Sequence, residues 1–201
     1  MIAEETQTIM LELKTSTQAL HDATEDGSFN TQLVKGALPR DRFVDSLEQL
    51  FLVHAALERH LRSSQDKIPA IGRVVRDYQY QEPYLRQDLE FFGRNLGDIK
   101  PLHATTKLIQ QIEHVAATRP AALLGFQYVF EGSNNGSKFI ARAVSRAYQL
   151  ADGKGLKYLD PYGDQQKERW QAFKDDMNAA TFSQDERAAI VDAACKTFEG
   201  M

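Results

Sequence analysis

The chain has one cysteine, no surplus of basic residues and no long apolar run, and each shortage removes a class of protein. A lone Cys195 cannot close an internal disulfide, so a disulfide-stapled scaffold is excluded and a reducing compartment is compatible. Within Ala193-Ala194-Cys195-Lys196 it reads as a small buried hydrophobe of a helix. Lys and Arg number 24 against 28 Asp and Glu, a formal charge of -4, so no excess of cations is at hand to neutralise a phosphate backbone and no nucleic acid partner is expected. No apolar stretch approaches the roughly 20 residues that span a bilayer, and Met1-Ile2-Ala3-Glu4-Glu5 lacks the basic and apolar regions of a signal peptide. The expectation is a cytoplasmic protein with no membrane anchor. There is also no Gly-x-Gly-x-x-Gly fingerprint of a flavin or nicotinamide site.

Internal repeats, low-complexity tracts and Gly/Ser/Pro linkers are missing too, which leaves a single domain over residues 1–201 as the economical organisation. A hydrophobic content of 42% suffices for an ordinary core. Period-two stretches of Val, Ile and Thr are absent, so the class is all-α. Phe43, Leu47, Leu50, His54, Leu57 and Leu61 recur at three- and four-residue spacing behind Leu38-Pro39-Arg40-Asp41, where proline suits a first helical turn. Ser183-Gln184-Asp185-Glu186 has the spacing of a capping box, opening a closing helix with Ile190, Ala193, Ala194, Thr197 and Phe198 on one side. Further helices are expected over about 4–25, 83–94, 102–117, 120–150 and 165–180.

Two segments carry chemistry. In the first helix, Lys14, Gln18, His21 and Glu25 share one face, with Leu13, Thr17, Leu20 and Thr24 beside it. Glu25, one turn after His21, can accept a hydrogen bond from one imidazole nitrogen and leave the other free for a metal. Lys14 stands two turns earlier, roughly 10 Å along the axis, comparable to the distance from a heme iron to its propionates. Taken alone, a His with Glu at i+4 is more commonly an ordinary surface pair.

The second segment is Tyr128-Val129-Phe130-Glu131-Gly132-Ser133-Asn134-Asn135-Gly136-Ser137, helical in pattern on both sides of its glycines. Each interior Gly costs about 1 kcal/mol against Ala. The segment is either a bent helix whose backbone approaches a flat ligand, or a turn joining two shorter helices.

Together these segments resemble the heme oxygenase family, particularly its soluble bacterial branch, from about Leu11 to Phe198. The resemblance implies a heme held between a proximal helix and a kinked distal helix of an all-α bundle. It puts the proximal iron ligand on His21, its hydrogen-bonding partner on Glu25 and a propionate contact on Lys14. Gln18 stands where some members have a second lysine, and Thr24 lies beside the same pocket. On the distal side it implies that Gly132 and Gly136 let the backbone lie over heme and oxygen. Their N–H groups, with water near Ser133 and Asn135, would orient the oxygen. Ser133 occupies the position of the mammalian catalytic aspartate, and Ser137 replaces that branch's last glycine. Tyr128 and Lys174 match further propionate contacts, and Phe198 an aromatic lining the pocket.

The implied reaction is oxidative cleavage of heme at a meso carbon to biliverdin, ferrous iron and carbon monoxide. Heme is then cofactor and substrate at once, O2 is consumed, and a separate ferredoxin or reductase supplies the electrons. A non-catalytic heme carrier or sensor of the same fold is the alternative, motivated by Ser133 and Ser137. A di-iron oxidase or thiaminase-like hydrolase is a third reading, but Glu58 with His60 and Glu113 with His114 are spaced so that each pair points to different helix faces. His54, His60, His103 and His114 read as core-edge or surface residues.

Overall fold

Thr8 starts the first helix by accepting the Leu11 N–H on its hydroxyl, 3.3 Å away, in a side-chain cap. The computed structural model describes residues 7–151 and 153–200. Among them nine α-helices follow one another: α1 Ile9–Glu25, α2 Ser28–Val34, α3 Arg40–Ser64, α4 Pro69–Val74, α5 Glu82–Phe91, α6 His103–Thr118, α7 Leu123–Tyr148, α8 Gln166–Ala179 and α9 Gln184–Gly200. Short 3-10 turns sit between some of them, and no strand occurs among the described residues. The all-α expectation is borne out. The start expected for the first helix, at about residue 4, lies outside the described residues.

The apolar stripe read from α3 faces inward: Phe43, Leu47, Leu57 and Leu61 are buried and Leu50 is half-buried. Pro39 stands just before the helix, as its N-cap, and Arg40 takes the first turn. At the start of α9 the capping box forms reciprocally. Ser183 N–H donates to Glu186 Oε2 at 2.8 Å, and Glu186 N–H donates to Ser183 Oγ at 3.3 Å. Two helices have no counterpart in the periodicity. α2 has seven residues and α4 six, too few for a 3.6-residue period to show in a window of 11–18 residues.

α7 runs unbroken through Gly132 and Gly136, so the turn alternative is excluded. Its inward residues Phe126, Phe130, Asn134, Ala141 and Val144 are packed by neighbours. Burying a side chain the size of Phe126 or Phe130 is worth ~1.5–3 kcal/mol, more than one interior glycine removes. The helix ends where Gln149 enters the left-handed region, at φ 54°.

α9 is the closing brace, packing along both α1 and α7. Its approach to α7 depends on Gly125: a Cβ there would stand 2.1 Å from the Ile190 carbonyl oxygen and 2.9 Å from the Ala193 Cβ. Cys195 on α9 is half-buried, with its Sγ 3.8 Å from the Ser16 carbonyl of α1. Around α9 lies one apolar cluster, from Leu13 through Leu57 and Phe126 to Ile190. A second runs from Phe43 through Leu85 to Val144, and Leu50 packs against both.

Candidate functional site

Although α1 and α7 both pack on α9, they hardly touch each other, and the region between them is the candidate slot. Tyr128 of α7 reaches α1, where its hydroxyl neighbours Thr17. Burial pushes that hydroxyl's pKa up, and Thr17 offsets part of the shift. At the far end α2 touches both helices, and Gly36 just beyond it lies against Ala143 and Ala147 of α7. The two walls therefore run in the same sense. One turn beyond Thr17 stands His21, and one turn beyond Tyr128 stands Gly132, so the chemistry-bearing halves of the two helices lie alongside each other.

The α1 wall is polar and accessible. The His21 side chain is 48% exposed and meets the Phe198 ring edge-on, with centroids 6.1 Å apart. Its Nε2 lies 3.5 Å from Glu25 Oε1 and its Nδ1 3.5 Å from Asp22 Oδ1. The carboxylate partner expected at Glu25 is present, and Asp22 is a second one that sequence reading missed. Gln18 donates to Asp22 at 2.7 Å and so steadies that carboxylate. Thr24 donates to the Leu20 carbonyl at 2.8 Å. Lys14 is exposed on α1 and Lys174 half-buried on α8, and neither enters an ion pair among the described residues.

The α7 wall has no side chain at Gly132 or Gly136. A Cβ on Gly136 would meet nothing within 4 Å, and one on Gly132 would only touch the Trp170 ring at 3.6 Å. Trp170 stacks on Phe173 and sits 6.0 Å from the Tyr128 ring, so it is both slot edge and core. Three polar side chains of this segment bond onto their own helix. Ser133 Oγ donates to the Phe130 carbonyl at 2.7 Å, Ser137 Oγ to the Ser133 carbonyl at 2.8 Å and Asn135 Nδ2 to the Gly132 carbonyl at 2.9 Å. Because the helix is continuous, the Gly132 and Gly136 N–H groups serve its internal i to i−4 bonds. What these glycines offer an incoming ligand is room.

Behind α7 lies a buried polar cluster that sequence reading did not find. His54, expected at the core edge, is 2% exposed. Its Nδ1 is 3.2 Å from Glu58 Oε1, its Nε2 3.3 Å from the Tyr158 hydroxyl, and its ring 4.5 Å from that of Phe130. Glu58 Oε1 also accepts the N–H groups of Gln81 and Glu82, at 2.7 and 2.8 Å. Next to it, the Tyr162 hydroxyl donates to Glu131 Oε1 at 2.6 Å. Burial pushes the Glu131 carboxyl up to about 7, against the lowering effect of Tyr162. The i, i+4 spacing of His54 and Glu58 was the available signal.

These features have relatives. The family model described as heme oxygenase matches residues 7–200. Heme oxygenase 2 of Rattus norvegicus is 28% identical over 193 residues, covering 93% of this chain and 61% of the rat protein. Heme oxygenase 1 of Synechocystis is 24% identical over 190 residues, covering 93% of this chain and 79% of its own length. The chain thus spans about three fifths of the mammalian relatives it matches. In three dimensions it resembles the heme oxygenase of Leptospira interrogans, with a TM-score of 0.89, 23% identity and 96% of each chain covered. The Synechocystis heme oxygenase-1 structure, solved in complex with heme, gives a TM-score of 0.87 at 22% identity, covering 96% of this chain and 89% of that one. With the family model matched from residue 7 to residue 200, this chain belongs to the heme oxygenase family.

Proposed function

We propose that this chain, acting as one domain, binds a heme in the slot between α1 and α7. It would open that heme at a meso carbon with O2 and external electrons, releasing biliverdin, ferrous iron and carbon monoxide. The observation that carries the reading is an accessible imidazole, His21, lying alongside a helix that has no Cβ at Gly132 and Gly136. A flat ligand fits between such walls. The heme supplies both the dioxygen-activating iron and the carbon skeleton that is broken.

The chain's own residues bind and orient. His21 would hold the heme iron through one ring nitrogen, and Glu25 or Asp22 would accept a hydrogen bond from the other. Lys14, Tyr128 and Lys174 would meet the propionates and so orient the group, Gln18 and Thr24 would border the same pocket, and Phe198 would close the side of the slot. Gly132 and Gly136 hold backbone close to the ligand face, so steric pressure favours one meso edge. Ser133 and Asn135 line the same face, where ordered water can bridge to them. A cytoplasmic setting, with reduced electron carriers and a reduced Cys195, belongs to the same reading.

The inward-turned Ser133 and Ser137 hydroxyls favour a second reading, a heme carrier or sensor that lacks a free distal donor. Mixing the protein with hemin and then adding ascorbate in air separates the two. An oxygenase loses its Soret band to a broad bilin absorption, whereas a carrier keeps the band.

A further inference from the structure

One residue before Gly132, α7 carries Glu131, the only carboxylate between Tyr128 and Ser137. It is 0% exposed, and the fold treats its two oxygens differently. Oε1 accepts the Tyr162 hydroxyl at 2.6 Å, whereas Oε2 is buried with no protein partner among the described residues. Two nearby atoms share that condition. Asn134 Nδ2 lies on the same helix three residues on, and Gln81 Oε1 belongs to a side chain that reaches both Glu131 and Tyr162. Leaving a buried polar atom unpaired costs about 1–3 kcal/mol, so three of them around one carboxyl weigh against a purely structural cluster. An acid O–H on Oε2, an amide donor and an amide acceptor form the set that a buried water satisfies, since such a water makes about three hydrogen bonds.

The remaining groups that face Glu131 come from several elements. Arg169 of α8 lies over the rings of Tyr78 and Tyr162, 4.3 and 4.7 Å from their centroids, and acts on the carboxyl in the same direction as Tyr162 and Gln81, lowering its pKa. Arg76 and Asp176, paired at 2.7 Å, face the other side of Tyr78. The Tyr158 hydroxyl stands towards α3, bonded to His54, with Glu58 beyond it. Desolvation outweighs these influences and favours the acid form, while the Tyr162 hydrogen bond steadies the ionised one. A carboxyl balanced in this way gives up a proton and takes one back near neutral pH.

We propose that Glu131 is a proton store behind the slot, passing a proton by way of water at Asn134 and Gln81 towards the α7 face left bare by Gly132. The proposal rests on the heme reading, because reducing dioxygen to water while a heme is opened consumes protons. Only protons move at Glu131. The Oε2–H bond breaks as a water O–H bond forms, and the carboxylate left behind, held by the Tyr162 hydroxyl, regains a proton from solvent water. Glu131 and Tyr162 both act on the slot through water and are positioning residues.

Carboxyl infrared spectra of the apo-chain follow the store without heme. Wild type should show a buried protonated carboxyl that titrates at about 7 and is missing in Glu131→Gln. Tyr162→Phe should move that midpoint upward, because a hydrogen bond to the ionised form is lost. Ascorbate-driven Soret loss of the hemin complex, followed from about pH 6 to about pH 8, then reads delivery. Glu131→Gln should slow it about 100-fold, the lower end of what a placed acid contributes, and flatten its pH profile. Glu131→Asp should recover part of the rate, and Tyr162→Phe should shift the profile in step with its infrared midpoint. A wild-type rate and profile in Glu131→Gln overturn the proposal. So does a Tyr162→Phe profile that stays put while the infrared midpoint moves, or a rate loss in Glu131→Gln that is matched by a fall in Tm and not relieved in Glu131→Asp, the mark of a structural role. A wild-type chain that keeps its Soret band at every pH fails the heme reading and takes the store's purpose with it, an outcome distinct from a Glu131→Gln chain that turns over normally.

Discussion

The imidazole of His21 and the ring of Phe198 meet at 73°, edge against face, so the last turns of α9 limit how the α1 histidine can rotate. His21→Ala should abolish the axial imidazole signature in the absorption and EPR spectra of the hemin complex, and added free imidazole should restore it. The Asp22→Asn/Glu25→Gln variant should keep the ligand but lose about 10–100-fold in heme affinity or turnover, the usual effect of removing a ligand's hydrogen-bond partner. An unchanged ligand-field spectrum for His21→Ala would place the iron elsewhere.

Lys14 and Lys174 stand on different helices, α1 and α8, which pack against each other. If they hold the two propionates, replacing both by Ala lets the heme rotate in its plane. Chromatography of the biliverdin formed should then show an altered isomer ratio; an unaltered ratio removes both lysines from the site.

Two glycines of α7 predict opposite outcomes for the same substitution. Gly125→Ala drives a methyl into the Ile190 carbonyl and should cost about 3 kcal/mol, or roughly 6–12 °C in Tm for a chain of this size. Gly136→Ala meets open space and should gain up to ~1 kcal/mol from helix propensity. That methyl enters the slot, so heme degradation should slow even as Tm rises. Full activity in a stabilised Gly136→Ala chain would remove the need for close backbone approach.

Glu131 gives stability a definite slope with pH. Its carboxyl is raised in the fold to about 7 from an ordinary 4.5, so between those values the native state holds a proton that the unfolded chain releases. Its contribution is therefore present below the unfolded value, is lost as pH climbs through the window, and levels off above about 7, with an upper size of ~3 kcal/mol. Asp88, raised by burial to about 6 despite the Tyr158 and Lys157 N–H groups, acts in the same direction. Glu131→Gln keeps an acceptor for Tyr162 and cannot ionise. Its Tm advantage over wild type should widen from pH 5 to pH 8, and a constant gap would contradict the assignment.

Long elements and the distal segment were readable because period and chemistry coincide there. The α3 stripe, the Ser183 capping box and the His21–Glu25 spacing all reappear as contacts. Residues whose meaning depends on a partner distant in sequence were not readable. His54 looks like one more position of an amphipathic stripe until Tyr158 arrives from 104 residues away. Gly125 resembles Gly132 and Gly136 in its surroundings, and only the crossing of α9 separates a packing glycine from two that line the slot. Asp22 was passed over because adjacent residues on a helix ordinarily diverge, yet a rotated imidazole spans the gap.

Because α1 and α7 are joined chiefly through α9, with α2 and α8 also touching both, and hardly to each other, the distance across the slot is set mostly by a helix that forms neither wall. Sliding on that shared support would let the walls part or close while each kept its own apolar seam intact. Loading and discharge of a large planar guest would then need no melting of the interior. Residues along the α9 seams, far from any reacting atom, become the places where mutation would tune how fast the cleft gapes.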